Sequence, residues 1–255
     1  MKRFLGKIRD QRYIGKLYLE DTTYNLVKEM NFIESNKVPQ RYEVINFLLE
    51  TLPSKDKTYL EIGVRFPEDN FLKINAKIKF GVDPGIENKE NPVEFKMTSD
   101  EFFYALNNGD ILSKKIKFDI IFIDGLHLAD QVEKDIKNAL DFIKEEGFIV
   151  VHDCNPPSEY HTREDYTFTK TPASIFWNGT TWKAFYKSRL NNNLSCACID
   201  SDWGIGIISK VKYFDYLKEN NNPFFEYSNF QKTRKQSLNL MSFEEFKQKI
   251  TKLNT

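Results

Sequence analysis

The sequence predicts an α/β fold built on an open, mostly parallel sheet with helices on both faces. Three observations lead there. Short strands and amphipathic helical stretches alternate five times through the middle of the chain. Those strands are continuous apolar runs rather than in–out alternations, as expected for strands buried on both faces. Polar residues then collect where the strands stop, which is where sheets of this kind bind ligands.

Each element has its own local reason. Residues 1–39 read as an N-terminal extension, basic in "MKRFLGKIRDQRYIGKL" and lacking the continuous apolar stretch of a secretory leader. "RYEVINFLLETL" opens a core spanning 40–210, with Val44, Ile45, Leu48 and Leu49 at helical spacing. "TYLEIG" (58–63) is an apolar strand closed by glycine, "IKFGVD" (78–83) is a second ending in an acid, and "PVEFKM" (92–97) is a weaker third. "TSDEFFYAL" carries a capping box, with Thr98 as N-cap and Glu101 three residues on. "FDIIFID" (118–124) is the most apolar strand. The helix after it lines up Val132, Ile136, Leu140 and Ile143, with Gly147 placed to end it and with Glu133 and Asp135 on a solvated face. "FIVVHD" (148–153) is the fifth strand.

Residues 156–180 contain Pro156 and Pro157, several aromatic side chains and little periodicity, which predicts a functional lid. His161 reads there as a mobile-loop residue. In the helix begun by "IFWNGTTWKAFYKSRL", Trp177 and Trp182 either wall a pocket or pack the helix onto the sheet. Lys183, Lys187 and Arg189 read as its exposed basic face. "LSCACID" and "WGIGIISK" are two last strands, and 211–255 is a mainly helical extension.

Composition narrows the partners. Lys+Arg and Asp+Glu are both 37, so a formal charge of zero gives no electrostatic ground for nucleic acid. No apolar run approaches the ~20 residues of a membrane helix, so stable membrane insertion is not expected. Three cysteines, Cys154, Cys196 and Cys198, fit no zinc template and read as reduced thiols of a cytoplasmic protein, with Cys154 a small buried residue.

The strand ends supply the chemistry: Glu61 and Gly63, Asp83, Thr98 to Asp100, Asp124, His152 and Asp153. Gly63 lets backbone approach a ligand, and Asp83 stands where a second-strand acid in a nucleotide-binding sheet accepts ribose hydroxyls. A nicotinamide dinucleotide is disfavoured, because "VRFPED" follows Gly63 and the second and third glycines of G-x-G-x-x-G are missing. Of only three histidines, His127 and His152 fall at the expected cleft.

Together "YLEIGV", "FGVDPG", "TSDEFF" and "FDIIFIDGLHLADQVEKDIKNALDFIKEEGFIVVHDCNPP" resemble the class I S-adenosylmethionine (SAM) dependent methyltransferases, and among them the small-molecule O-methyltransferases that include bacterial sugar-modifying enzymes. The resemblance covers roughly residues 40–157; "IDG-x-H" followed by "HDCNP" is its most specific part. Pro67 departs from it, standing at the last glycine of E-x-G-x-x-x-G.

The resemblance implies a Rossmann-like, seven-stranded sheet. It implies Glu61 and Gly63 beside the methionine part of SAM, Asp83 on the ribose, Ser99 and Asp100 near the adenine, and Asp124 facing the transfer centre. His127 or His152 would take the acceptor's proton. Alternatively, a divalent metal at Asp124 and Asp153 would lower the acceptor's pKa. A "W-x-G-D-x-W-K" element of such enzymes is matched except for Thr180. The expected acceptor is a small molecule presenting a carbohydrate-derived or nucleotide-linked hydroxyl; an amine or a phosphate-bearing acceptor, a non-catalytic ligand-binding scaffold, and a homo-oligomeric assembly remain open at this point.

Overall fold

In the computed structural model, which describes residues 2–252, four strands run parallel: β1 (Thr58–Ile62), β2 (Ile78–Val82), β3 (Phe118–Ile123) and β4 (Ile143–Val151). With β5 (Ser195–Ile199), β6 (Ile205–Ser209) and β7 (Leu240–Met241) they form one seven-stranded sheet in the order β2-β1-β3-β4-β6-β5-β7. Only β6 is antiparallel to its neighbours β4 and β5. From β1 the chain steps outward to β2, then returns to place β3 on β1's other side. The strand order therefore reverses between β1 and β3, and the two loops leaving them diverge to open a crevice.

Alternation of side chains along each strand divides the core in two. Leu60, Ile62, Ile121, Ile123, Ile149 and Val151 face one layer, against α4 (Ser99–Asn108), α5 (Ala129–Phe142), α6 (Thr181–Leu190) and α7 (Tyr227–Leu238). Tyr59, Ile120, Phe122, Phe148 and Val150 face the other, against α3 (Arg41–Thr51) and α8 (Phe243–Lys252). Every residue of β1 and β3 is buried. The expected α/β class and strand count stand, with helices on both faces. The N-terminal stretch folds as α1 (Lys2–Glu20) and α2 (Thr22–Ser35), the second capped by Asp21. Among the described residues, no helix is long and apolar enough to cross a membrane.

Three local expectations are corrected. "PVEFKM" is not a strand: Pro92 lacks an N–H, and only Phe95 bridges to Val82 before the chain turns into the Thr98 cap. The seventh strand is instead β7, a two-residue piece of the C-terminal stretch that pairs with β5. The helix of residues 129–142 stops at Phe142, so Ile143 opens β4 and Gly147 lies inside that strand. A Cβ on Gly147 would stand 2.8 Å from the Asp119 carbonyl oxygen; this glycine permits close strand approach and does not cap a helix.

Candidate active site

Register sets the site's centre. Ile62 pairs with Ile123, so the residues that leave β1 and β3, Gly63 and Asp124, come side by side. Gly63 has φ +92°, and a Cβ there would fall 2.2 Å from the Asp124 carbonyl oxygen. The close approach that demands glycine is thus first to protein backbone. His152 and Asp153 leave β4 next to Asp124, and Asp153 adopts φ +60°, turning its carboxylate back toward the crevice.

One cavity of about 670 Å³ runs along these strand ends. At one end lie Asp83, Thr98, Ser99, Asp100 and Gln131; in the middle Glu61, Gly63 and Asn70; at the other end Asp124, His127, His152 and Asp153, walled by Tyr166, Phe176, Trp177 and Trp203. All the residues singled out at the strand ends therefore meet in one space. A second hollow, of about 810 Å³, is lined by Arg189, Lys212, Lys218 and Lys249 among others, none from the ends of β1–β4.

The outer end is acceptor-rich. Asp83 Oδ1 takes the Gly85 N–H at 2.6 Å, and partial burial raises its pKa. The capping box forms as expected, Glu101 N–H donating to Thr98 Oγ1, which sets Ser99 and Asp100 on the first turn of α4. The Gln131 amide reaches Ser99 Oγ (3.1 Å), Asp100 Oδ1 (3.0 Å) and Asp135 Oδ1 (3.1 Å). Asp135 is not on a solvated face: it is 1% exposed, and burial raises its pKa to about 6. Its position on the helix, one turn below Gln131, turns it inward under α4.

Glu61 is 3% exposed and accepts from Tyr59 Oη (2.5 Å) and Asn70 Nδ2 (2.8 Å). Burial raises it to about 7 despite those bonds. A cation placed beside it would restore full ionisation.

The inner end is a dense charge cluster. His152 Nδ1 lies 3.0 Å from Asp124 Oδ1 and 3.3 Å from Asp153 Oδ2, while its Nε2 lies 3.3 Å from Asp202 Oδ1 and 3.1 Å from Arg41 Nη1. Arg41, the first residue of α3, also bonds Asp202 through its backbone N–H (2.9 Å) and through Nη1 (3.2 Å), and its Nε stands 3.8 Å from Asp124 Oδ2. His127 lies just before α5 and stacks flat on Trp177, ring centroids 5.1 Å apart. Its Nδ1 is 2.8 Å from Asp153 Oδ2 but out of line, so this buried nitrogen has no hydrogen-bond partner.

These charges set one another's protonation. Burial works against a charged ring, yet Asp153 and Asp124 outweigh it and raise His127 to about 10. The same contest, with Asp124 foremost, lifts His152 well above its ordinary value. Burial alone would raise Asp124 and Asp153; the His152 charge instead holds both low, Asp153 at about 2. Three carboxylates against one guanidinium leave two negative charges, which two imidazolium protons or one divalent cation would balance.

Donor atoms of Asp124, His152 and Asp153 lie within 4.8 Å of one another, a set compatible with one ion.

Several sequence readings shift. Trp177 walls the cavity, but Trp182 is 1% exposed and stacks on Phe230 at 4.3 Å, in the core. Arg189 is buried, its Nη1 donating to the Cys196 and Asp215 carbonyls, so the basic face of α6 reduces to its neighbours. His161 is wholly buried and not a mobile-loop residue. Cys154 is buried as expected, and burial raises its thiol.

Arg41, Asp202 and Trp203 escaped sequence reasoning. Arg41 sits in no motif. Asp202, Trp203 and Gly204 form a β5–β6 turn with three consecutive positive φ values (44°, 63° and 94°), so "WGIGIISK" becomes a strand only from Ile205.

Comparison with known proteins gives the following. Residues 68–154 match a family model described as "Methyltransferase domain", in line with the resemblance read from the sequence. No curated protein matches the sequence. Among solved structures, it is similar to an O-methyltransferase from Bacillus cereus in complex with SAH (S-adenosylhomocysteine) at 14% identity, covering 77% of this chain and 94% of that one, TM-score 0.42. It is similar to the SAH-bound methyltransferase PaMTH1 of Podospora anserina at 14% identity, covering 79% and 94%, TM-score 0.42. A third likeness is to the O-methyltransferase TomG of Streptomyces achromogenes, involved in tomaymycin synthesis and in complex with SAM, at 12% identity, 74% and 90% coverage, TM-score 0.39.

Proposed function

We propose that this methyltransferase uses SAM to methylate a hydroxyl of a small, carbohydrate-derived or nucleotide-linked acceptor, residues 40–210 forming the catalytic core. The observation that carries the reading is the single cavity joining an acceptor-rich outer end to a histidine–carboxylate cluster. A cofactor extended along it would set its ribose hydroxyls on Asp83 and its adenine by Ser99 and Asp100. Its amino group would reach Glu61, and its sulfonium would come beside Asp124. The free oxygen of Asp83 and the burial-raised Glu61 suit those partners.

The cofactor supplies an activated methyl group for in-line displacement; the chain's own residues orient the acceptor and take its proton. Both nitrogens of His152 face protein groups, Nδ1 toward Asp124 and Asp153 and Nε2 toward Asp202 and Arg41. That leaves His152 a structural or ion-binding role. His127 is the better base: its side chain is more exposed than that of His152 (17% against 6%) and lies flat on Trp177 at the acceptor end, its Nε2 3.4 Å from Asp124 and its Nδ1 2.8 Å from Asp153. Asp124 would orient it. Asp124, His152 and Asp153 would hold a divalent cation, which when bound would lower the acceptor's pKa and replace the imidazolium protons. Trp177, Trp203, Phe176 and Tyr166 supply flat apolar faces for the C–H side of a sugar ring.

Calorimetry with SAM and SAH, followed by a methylation assay over sugars and nucleotide-sugars, tests the reading. Absence of SAM binding, or SAM binding unchanged by Asp83→Ala, would overturn it in favour of a scaffold.

A further inference from the structure

The proposed chemistry leaves the third histidine without a task, although it is 0% exposed. His161 sits in a short 3-10 turn, Glu159–His161. Its Nε2 donates to Asn31 Oδ1 at 2.6 Å, and Asn31 belongs to α2, 130 residues away in sequence. Its Nδ1 accepts from Ser158 Oγ at 2.8 Å. A carbonyl oxygen can only accept, so the ring's proton is fixed on Nε2. Burial, aided by the Arg163 charge, lowers the ring's pKa to about 4, so it stays neutral.

What His161 holds is the segment facing the active site. Its carbonyl accepts the backbone N–H groups of Asn178 (3.0 Å) and Gly179 (3.1 Å). Asn178 is fully buried and donates from Nδ2 to Asp153 Oδ1 at 2.7 Å. Thr180 N–H donates to the His127 carbonyl at 2.7 Å, and Thr180 Oγ1 accepts from Ala129 N–H at 2.7 Å. Gly179, at φ +58°, packs so closely that a Cβ would stand 2.1 Å from the His127 carbonyl oxygen. Both Asp153 and His127 are therefore braced by residues 178–180, which hang from His161, which in turn is held by Asn31.

We infer that Asn31 and His161 form a buried latch through which the N-terminal helix α2 positions Asp153 and His127. Neither residue reaches the cavity; both are positioning residues. The inference rests on the reading of Asp153 and His127 as active-site groups. It also gives α2 a part in the site that the methyltransferase core alone lacks.

The test uses the full chain with Asn31→Ala and Asn31→Asp. With three histidines, the ring nitrogens can be followed individually by long-range proton–nitrogen NMR. Asn31→Ala should release the His161 Nε2–H signal and move the His127 ring resonances. It should lower kcat about tenfold while the SAM Kd and acceptor KM stay within about twofold, the pattern of lost positioning rather than lost binding. Asn31→Asp, which still accepts the N–H, should restore both the ring signals and kcat. Unchanged His127 resonances in Asn31→Ala would overturn the latch. So would a joint loss of melting temperature, SAM affinity and kcat that aspartate does not rescue, since that marks a merely structural contact. Should no acceptor be methylated at all, the proposed function fails, while the ring resonances still decide the latch.

Discussion

Protonation of His127 decides whether it can act as a base. Without a bound cation, Asp153 and Asp124 hold the ring at about 10 against an ordinary 6.5. At pH 7.5 that leaves on the order of one molecule in 300 with the ring neutral. Methyl transfer in EDTA should then climb nearly tenfold per pH unit from pH 7 toward 10. A divalent ion occupying the carboxylates should move that limb down by two or more pH units, and Asp153→Asn should move it in the same direction without metal. Stability carries the complementary sign. A ring whose pKa is raised on folding contributes stability that is complete below pH 6.5 and is lost as pH rises through 10, at most about 5 kcal/mol for a rise from 6.5. Thermal melts in EDTA should therefore fall across that window, and less so in His127→Gln. NMR titration of the His127 ring, with and without Mg²⁺, Mn²⁺ or Zn²⁺, checks the premise directly. A metal-free ring titrating near 6.5 would refute the electrostatic reasoning; a rate flat from pH 7 to 9 in EDTA would refute the base assignment.

Asp83→Ala should weaken SAM binding by roughly 10- to 150-fold, the loss of about 1.5–3 kcal/mol from charge-assisted hydrogen bonds, as calorimetry would read. Asp135 is destabilised by its own charge: with its pKa raised to about 6, the stability it lends below pH 4 is gone above 6. Asp135→Asn should consequently raise the melting temperature at pH 7.5, by up to about 3 kcal/mol of stability, and do nothing at pH 3.5. Gly63→Ala drives a methyl group into the Asp124 carbonyl at a positive φ, so it should cost at least about 2 kcal/mol in denaturant melts and displace the Asp124 carboxylate, lowering activity beyond the stability loss.

The legible part of this protein is the part built from local pattern. Apolar runs gave β1 to β6, and the Thr98–Glu101 pair gave the start of α4, because strand burial and capping are encoded within a few neighbouring residues. The strand-end rule then collected Glu61, Gly63, Asp83, Ser99, Asp100, Asp124, His127, His152 and Asp153 beside one cavity without any knowledge of distance. Misreadings arose where one residue type serves two purposes. Gly147 looks like a helix stop but spares a clash with β3. Asp135 looks solvated by its polarity but faces inward by its helical phase. β7, two residues long, offers no pattern to read.

Residues that arrive from far along the chain could not be read at all, and they are what distinguishes this site. Arg41 and Asp202 are 161 positions apart, yet they share a bond within the histidine cluster; Asn31 and His161 are 130 apart and brace it through residues 178–180. Neither pair reaches Asp83, Ser99 or Asp100, and Arg41 meets the cluster at Asp124, 3.8 Å away. Both tie the N-terminal helices to the turns that carry the acceptor end. On the proposed reading the strand ends would hold a nucleoside and present a methyl group, whereas the long-range pairs would set the charge and shape around the group that receives it. The rate of methyl transfer should therefore respond to changes at positions 31, 41, 161 and 202 more strongly than SAM affinity does, and profiling both over one set of variants would separate the two halves of the site.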